Sequence, residues 1–213
     1  VENLFPPDGE NVDLKNSEFR NWDRYKYGLK IRKLGHVFRF MKEDFGQLPS
    51  VIGLAEIGDR SVLEDLVNQN SPLHHYEIIH QQSNDSRGLS VALLFDKEKY
   101  TLVHFDSLRF NINENLPFET RDILHAEFLF QGKKLHVFVC HLPSKREKDS
   151  KKAQRNYILE QLNKTICDLL KKQEPIILMG DFNENPDAAE LQQLLIDNDG
   201  KTTLSNPFVA MYL

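Results

Sequence analysis

Several absences limit the classes of protein to which this chain of 213 residues can belong. No apolar run approaches the roughly 18 residues that are needed to cross a bilayer, so we expect no transmembrane segment. No signal-peptide pattern opens the sequence, because Pro6 and Pro7 follow within a few residues of Val1, and the compartment (cytoplasmic or secreted) stays open. The only two cysteines, Cys140 and Cys167, exclude a disulfide framework.

The chain also lacks a glycine-rich phosphate loop and an excess of positive charge. Neither a Gly-x-Gly-x-x-Gly motif nor a Walker loop occurs, so no nucleotide is bound in either of those ways. The 27 basic residues against 32 acidic ones give a net charge of -5. This balance argues against a protein that coats nucleic acid by bulk charge. It leaves open a protein that binds phosphate groups at one small local site.

Predicted strands and helices alternate along the sequence. Apolar spacings of three and four predict helices over residues 23–43 and about 150–170. Short apolar runs at 51–55 and 176–179 are typical of strands that are buried on both faces. The pattern predicts an α/β or α+β fold with mixed sheets and a central hairpin. Other predictions are strands at 76–80, 89–95, 100–105, 123–130, 135–140 and 209–213, a helix opened by Ser61 with Glu64 as a capping box, and a helix capped by Asp187.

Polar side chains stand at the ends of four of the predicted strands. Ligand sites collect at such strand ends in sheets of α/β proteins. Carboxylate and amide oxygens favour Mg²⁺ or Mn²⁺ over zinc, and a nearby histidine and arginine would bind a phosphate ester. The strand-end residues are Glu56, Arg87, His141, Asp181 and Asn183.

Each of these residues also has a plainer interpretation. Glu56 can be a solvated loop residue, and residues 180–183 can be a simple turn, because glycine, aspartate and asparagine are common turn formers. His141 and Arg87 can have structural roles. Only the combination of these residues favours a functional site over these alternatives.

Five motifs in this order make the chain resemble the endonuclease/exonuclease/phosphatase superfamily. This superfamily includes DNase I, the abasic-site endonucleases, the inositol polyphosphate 5-phosphatases and the neutral sphingomyelinases. The resemblance covers essentially the whole sequence and is strongest to bacterial members that open with Asn-Val-Glu-Asn-Leu-Phe. The motifs are Val1-Glu2-Asn3-Leu4-Phe5, Leu54-Ala55-Glu56-Ile57, Asp85-Ser86-Arg87-Gly88, His141-Leu142-Pro143-Ser144 and Gly180-Asp181-Phe182-Asn183.

The resemblance implies a DNase I-like fold: a four-layer sandwich of two packed mixed β-sheets flanked by helices. One such domain would span residues 1–213, with the site at one edge of the sandwich. The implied activity is Mg²⁺-dependent (or Mn²⁺-dependent) hydrolysis of a phosphoester by in-line attack of water, as a nuclease, phosphatase or phosphodiesterase. The implied substrate is a nucleic acid, a nucleotide or a phospholipid headgroup, and we expect a monomer.

The resemblance also implies a role for each site residue. Glu56 matches the metal-binding glutamate, and Glu2 lies where some members carry an acidic residue near the metal. Asp181 would orient or deprotonate the attacking water, and Asn183 would hold the phosphate or the metal. The remaining two matched residues, His141 and Arg87, would bind phosphate oxygens.

Two features depart from the family pattern. The first asparagine of the opening motif would precede Val1, and the catalytic Asp-His pair expected near the C-terminus is absent, since no histidine follows His141. We therefore expect residues of the domain to be missing before Val1 and near 208–209. The alternatives are a catalytically degenerate module that binds phosphate or metal, and a purely structural domain. Lys145 and Arg146 could reach a substrate phosphate but are expected to form a solvated basic loop.

Overall fold

A computed structural model describes residues 1–7, 22–68, 71–111, 120–196, 200–201 and 204–208. Helices and strands alternate in it, as the apolar periodicity predicts. The helices are α1 (Arg24–Phe45), α2 (Arg60–Leu66), α3 (Arg146–Asp149), α4 (Lys152–Lys171) and α5 (Ala189–Gln192), followed by a 3₁₀ turn (Gln193–Leu195). The strands are β1 (Val51–Ile57), β2 (Tyr76–His80), β3 (Ser90–Asp96), β4 (Thr101–Leu108), β5 (Ile123–Phe130), β6 (Lys133–His141) and β7 (Ile176–Asp181).

The described strands form two sheets. The first has the order β1-β3-β2 with antiparallel pairing, and a parallel bridge between Leu4 and Ile57 lies beside it. The second has the order β4-β5-β6-β7, in which only β6 and β7 run parallel. The predicted hairpin is β5–β6, with its turn at Gln131 and Gly132.

Three apolar clusters lie between successive layers of the molecule. One packs α1 and α2 against the first sheet, and another packs α4 and α5 against the second sheet. The third lies between the sheets, where Phe95 of β3 contacts Phe128 of β5 with ring centroids 5.0 Å apart. Helix, sheet, sheet and helix are therefore stacked in sequence, which confirms the predicted four-layer sandwich.

Two helix starts differ from the predictions. Helix α2 begins at Arg60, and its N-cap is Asp59, whose carboxylate accepts a 2.8 Å hydrogen bond from the backbone N–H of Ser61. An aspartate caps a helix as well as a serine does, and here it precedes Ser61 by two residues. Helix α5 begins at Ala189 without a side-chain cap, so Asp187 does not cap it.

Two strands that were predicted to be buried on both faces are less buried than expected. Strands β1 and β7 are the outermost of their sheets among the described residues, and both line one cavity of about 1340 Å³. Ile177 of β7 is consequently 39% exposed. The expected break near residues 208–209 and the strand over 209–213 lie outside the described residues. In the described part of the chain, no helix combines the length and apolar character that a membrane span requires.

A row of four polar side chains crosses the second sheet on the side of α4. Asp106 of β4 contacts His125 Nδ1 of β5 at 2.8 Å, and His125 Nε2 lies 3.0 Å from His136 Nδ1 of β6. His136 Nε2 in turn lies 2.9 Å from Glu174, in the turn between α4 and β7. Phe138 stacks on His125 at 4.4 Å, so the row is packed into the apolar cluster beneath α4.

Candidate active site

Three predicted site residues converge where one end of each sheet meets the cavity. His141 and Asp181 are register partners at the ends of the parallel strands β6 and β7, with His141 Nε2 3.8 Å from Asp181 Oδ2. Glu56, near the end of β1 in the other sheet, places Oε1 3.9 Å from His141 Nε2. The two sheets therefore bring two carboxylates to one imidazole ring.

Glu56 reaches this position through an irregularity in β1. The pairing of β1 with β3 shifts between Ala55 and Ile57, and the intervening Glu56 has a φ of 63°. Such a bulge turns a side chain away from the regular alternation of the strand. The N-terminal segment fixes the result, because the backbone N–H of Asn3 donates to Glu56 Oε2 at 2.8 Å and that of Leu4 donates to Glu56 O at 2.9 Å.

Strand β7 lies very close to β6 at Gly180. Gly180 has a φ of 135°, and a Cβ at this position would lie 1.9 Å from the carbonyl oxygen of Cys140. Only glycine allows this backbone conformation and this approach together. The close approach accompanies the register that places Asp181 opposite His141.

Asn183 connects the loops that follow β6 and β7. Its Nδ2 donates to the carbonyl oxygen of Leu142 at 2.8 Å, and its backbone N–H donates to Asp181 Oδ1 at 2.9 Å. Its φ of 52° lies in the left-handed region, which asparagine tolerates better than most residues. Asn183 therefore holds Asp181 and the loop after His141 in a fixed relation.

Arg121 belongs to the site and was missed by the sequence analysis. Its NH2 lies 3.3 Å from His141 Nε2, and its NH1 lies 3.5 Å from Asp85 Oδ2. Arg87 joins the same carboxylate, with its Nε 3.8 Å from Asp85 Oδ1. Two guanidinium groups thus lie on one side of His141, and the buried Asp85 holds both of them.

The signal for Arg121 was present in the sequence. Arg121 stands two residues before the apolar strand that begins at Ile123, just as Arg87 stands shortly before the strand that begins at Ser90. The polar residues that precede β5 thus follow the same pattern as those that flank four other strands. Asp85, which stands in the same motif as Arg87, contacts both arginines.

His141 is held in its neutral form. Burial lowers its pKa to about 4, the positive charge of Arg121 acts in the same direction, and the carboxylates of Asp181 and Glu56 oppose the shift. Because the Arg121 guanidinium can only donate, His141 Nε2 is the acceptor of their contact and Nδ1 carries the proton. Nδ1 is buried and has no hydrogen-bond partner among the described residues.

The donor set of the site suits a hard divalent cation that keeps part of its water shell. Mg²⁺ commonly binds through one or two carboxylates, with water and substrate phosphate as its other ligands. Glu56 and Asp181 supply two such carboxylates, and Glu2 lines the same cavity. In the described ranges, no group of three or more His, Cys, Asp or Glu side chains is arranged to hold a metal. An open site that is completed by water and substrate therefore fits these residues better than a closed protein cage.

A buried arginine on α4 connects the two loops beneath the site. The side chain of Arg155 is fully buried, and its Nε donates to Glu184 Oε1 at 2.8 Å, while NH1 donates to the carbonyl oxygen of Pro143 at 3.2 Å. Asp149 receives two further bonds from the same guanidinium, at 2.9 and 3.0 Å. Lys145, expected in a solvated loop, pairs with the buried carboxylate of Glu184, whereas Arg146 is exposed.

Several solved structures are similar to this chain in fold. They include a humanized D. rerio TDP2 carrying 14 mutations (TM-score 0.55, 19% identity, 81% of this chain and 61% of that chain covered). The human Nocturnin catalytic domain with bound sulfate has a TM-score of 0.57 and 16% identity, with 76% and 60% covered. A Bacteroides thetaiotaomicron endonuclease/exonuclease/phosphatase family protein has a TM-score of 0.59 and 16% identity, with 78% and 60% covered. The chain thus spans about 60% of the length of each of these structures.

No curated protein sequence matches the chain significantly. The model of the Endonuclease/Exonuclease/phosphatase family, however, matches residues 1–213 without remainder. The four-layer fold and the motif residues gathered around His141 agree with that match. This chain belongs to the Endonuclease/Exonuclease/phosphatase family.

Proposed function

We propose that this chain hydrolyses phosphoester bonds in a reaction that depends on a divalent metal, with Mg²⁺ as the first candidate. One observation carries the proposal: Glu56, His141 and Asp181 come from three strands of two sheets and converge within 4 Å of one ring nitrogen. Membership of the family supports it. A purely structural domain would have no use for two carboxylates and a neutral imidazole gathered at the rim of a cavity.

The site residues divide into those that would bind the cation or the phosphate and those that would orient the attacking water. Glu56, with Glu2 nearby, would hold the cation, which when bound would polarise the phosphoryl group. Arg87 and Arg121 would bind the phosphate oxygens, since guanidinium groups donate two parallel bonds to such groups. His141 faces both carboxylates through Nε2, while its Nδ1 is buried away from a substrate, so its role would be to position these groups. Electrostatic stabilisation of this kind is usually the largest contribution to such a reaction.

Asp181 is the best candidate to orient the attacking water. It is the most exposed of the three converging side chains, at 54%, and it is fixed by the N–H of Asn183. His141, with its pKa near 4, is a weak base and therefore a poor candidate to remove a proton from water. Among the residues gathered at this site, removal of a proton is therefore better suited to the exposed carboxylate of Asp181.

A nucleic-acid strand is the substrate that we propose ahead of nucleotides and phospholipid headgroups. One similar structure is that of D. rerio TDP2 complexed with a single-stranded DNA product (TM-score 0.53, 17% identity, 78% of this chain and 58% of that chain covered). A strand also suits a site at the open rim of a large cavity, because a polymer must pass in and out on both sides of the bond that is cut.

The test is hydrolysis of bis(p-nitrophenyl) phosphate and of labelled single-stranded DNA by the purified chain, with Mg²⁺, with Mn²⁺ and with EDTA. We expect activity with metal, none with EDTA, and a loss of about 100-fold or more in Glu56→Gln, typical of removing an electrostatic contact in the transition state. Glu160→Gln on the exposed face of α4 is the matched control and should retain full activity.

Undiminished activity in Glu56→Gln, or full activity in EDTA, would contradict the proposal. Absence of turnover accompanied by Mg²⁺ binding in calorimetry would instead support the degenerate binding module. Absence of both would leave the structural domain as the better description.

A further inference from the structure

Helix α1 carries a charge opposite to that of the rest of the protein. It contains seven of the 27 Lys and Arg residues of the chain but only two of the 32 Asp and Glu residues, Glu43 and Asp44, both of which lie at its C-terminal end. A net charge of -5 therefore conceals a basic helix of 22 residues, about 33 Å long, on an otherwise acidic protein.

The solvent-facing side of α1 combines aromatic and basic residues. Tyr25 is 74% exposed and Phe40 is 64% exposed, although large apolar side chains usually lie inside. Arg32, Lys33 and His36, all exposed, lie between them on the same side of the helix, since Arg32 is seven residues after Tyr25, His36 is four after Arg32, and Phe40 is four after His36. We call these five residues the outer stripe. Among the residues that the structure describes, no acidic side chain pairs with Arg32 or Lys33.

The opposite side of the same helix is fully used by the core. Tyr27 and Phe38 are buried, and Ile31, Leu34 and Met41 pack against the first sheet and α2. The exposed aromatics of the outer stripe therefore lie outside this core. Among the described residues nothing covers these two rings, so they are available to a partner.

Helix α1 also lies beside the candidate active site. Lys30 donates to the carbonyl oxygen of Glu2, and the carboxylates of Glu2 and Glu56 both raise the pKa of Lys30 against the larger lowering effect of burial. Lys30 is three residues from Lys33 of the outer stripe, which is less than one helical turn. A polymer bound at Glu56 could therefore continue along α1 without leaving the protein surface.

We propose that the outer stripe of α1 binds a single-stranded nucleic acid. This proposal rests on the proposed function, because the bound strand is the substrate strand whose phosphate reaches Glu56. Single-strand sites combine cations that follow the backbone with aromatic rings on which bases stack, and the outer stripe offers both. Arg32 and Lys33 contact phosphates, and Tyr25 and Phe40 each stack on a base.

An anionic membrane is the other class of partner that a basic helix can bind. A membrane-surface helix needs a continuous apolar face that enters the lipid while its basic face meets the headgroups. The continuous apolar face of α1 is already buried against the core, and the outer stripe places Arg32 and Lys33 between its two aromatics. This arrangement favours a nucleic-acid strand.

The test compares three double variants of the full chain by fluorescence anisotropy with a labelled oligothymidine, in EDTA so that the strand stays intact. Arg32→Gln with Lys33→Gln should weaken binding and reduce the slope of log K against log salt by about 1.4, since each single-strand phosphate contact contributes about 0.7. Tyr25→Ser with Phe40→Ser should weaken binding about fivefold or more per lost stack. Lys164→Gln with Lys171→Gln on α4 is the matched control and should bind as the parent does.

Equal binding by the parent and both stripe variants, or equal loss in the α4 control, would overturn the proposal. Loss of binding to phosphatidylserine vesicles without loss of oligothymidine binding would overturn it in favour of a membrane. Circular dichroism and thermal melting of every variant exclude unfolding as the cause.

Hydrolysis of bis(p-nitrophenyl) phosphate separates the two proposals. Both stripe variants should cleave this small diester like the parent, since it is too small to reach α1. If the parent fails to cleave it but binds oligothymidine through the stripe, the proposed function fails and the strand-binding surface stands. If the parent cleaves the diester and the stripe variants bind oligothymidine as the parent does, the strand-binding proposal fails and the proposed function stands.

Discussion

Replacement of Arg155 by methionine tests whether the buried charge beneath the site holds its two loops together. The fully buried guanidinium joins Glu184, Asp149 and the carbonyl oxygen of Pro143. Methionine keeps much of the apolar stem but removes every one of these bonds. The buried Glu184, only 4% exposed, would then retain Lys145 as its remaining cationic partner among the described residues.

The expected cost follows from the burial of the partner that remains. Breaking a buried ion pair by removing one partner costs about 3–5 kcal/mol, because a carboxylate is left in a poorly solvated place. Lys145 still neutralises part of that charge, and the half-buried Asp149 can turn to water, so we expect the low end, about 3 kcal/mol. For a chain of this size that corresponds to a fall in Tm of about 6–12 °C.

Urea denaturation followed by circular dichroism measures this change directly. Lys164→Met is the matched control, because its pair with Glu160 on the same helix is exposed and should contribute less than about 1 kcal/mol. Arg155→Met combined with Glu184→Gln should recover a large part of the loss, since no buried carboxylate then lacks its partner. A loss below about 1 kcal/mol in Arg155→Met, or no recovery in the double variant, would refute the reasoning.

Two further predictions concern backbone geometry and pH. Gly180→Ala should lower the free energy of unfolding by about 3 kcal/mol or more, because the new Cβ meets Cys140 O in addition to the unfavourable φ. Gly132→Ala has only the positive φ and should lower the free energy of unfolding by about 1–2 kcal/mol. Equal losses in urea denaturation would contradict this prediction. Burial lowers the pKa of His80, which contacts Ser90 Oγ at 2.9 Å, so the unfolded chain binds this proton more readily and the parent should lose stability below about pH 6.5. His80→Gln should therefore lose less unfolding free energy than the parent between about pH 7 and pH 5, and an identical loss would count against the explanation.

Much of the site was accessible from the sequence because strand ends could be located. Apolar runs identified β1, β6 and β7 within a residue or two, and the polar residue that ended each run identified Glu56, His141 and Asp181. The structure brings these three together. Periodicity cannot show which strands pair, so the contact of β1 in one sheet with the end of β6 in the other came from the family resemblance and not from the residues.

What the sequence did not predict depends on contacts between distant residues. The bulge at Glu56 arises from its pairing with β3 and from the N–H of Asn3, neither of which leaves a local pattern. Asp59 and Ser61 are both good caps, and only the backbone geometry shows that Asp59 is the one used. The exposure of β7 follows from its place at the edge of the described sheet, while its composition is that of a central strand.

The contacts in the row Asp106–His125–His136–Glu174 determine how many protons its two imidazole rings must carry. Its three contacts are all hydrogen bonds only if the two imidazole rings together carry three protons, which is one more than two neutral rings hold. With both carboxylates ionised, the pair then shares one positive charge, and removal of that proton leaves one contact without a hydrogen. The row joins β4, β5, β6 and the turn before β7, so the number of protons in it decides how many hydrogen bonds connect these four parts of the second sheet. The N–H···N contact between the two rings is the place where NMR would detect that additional proton.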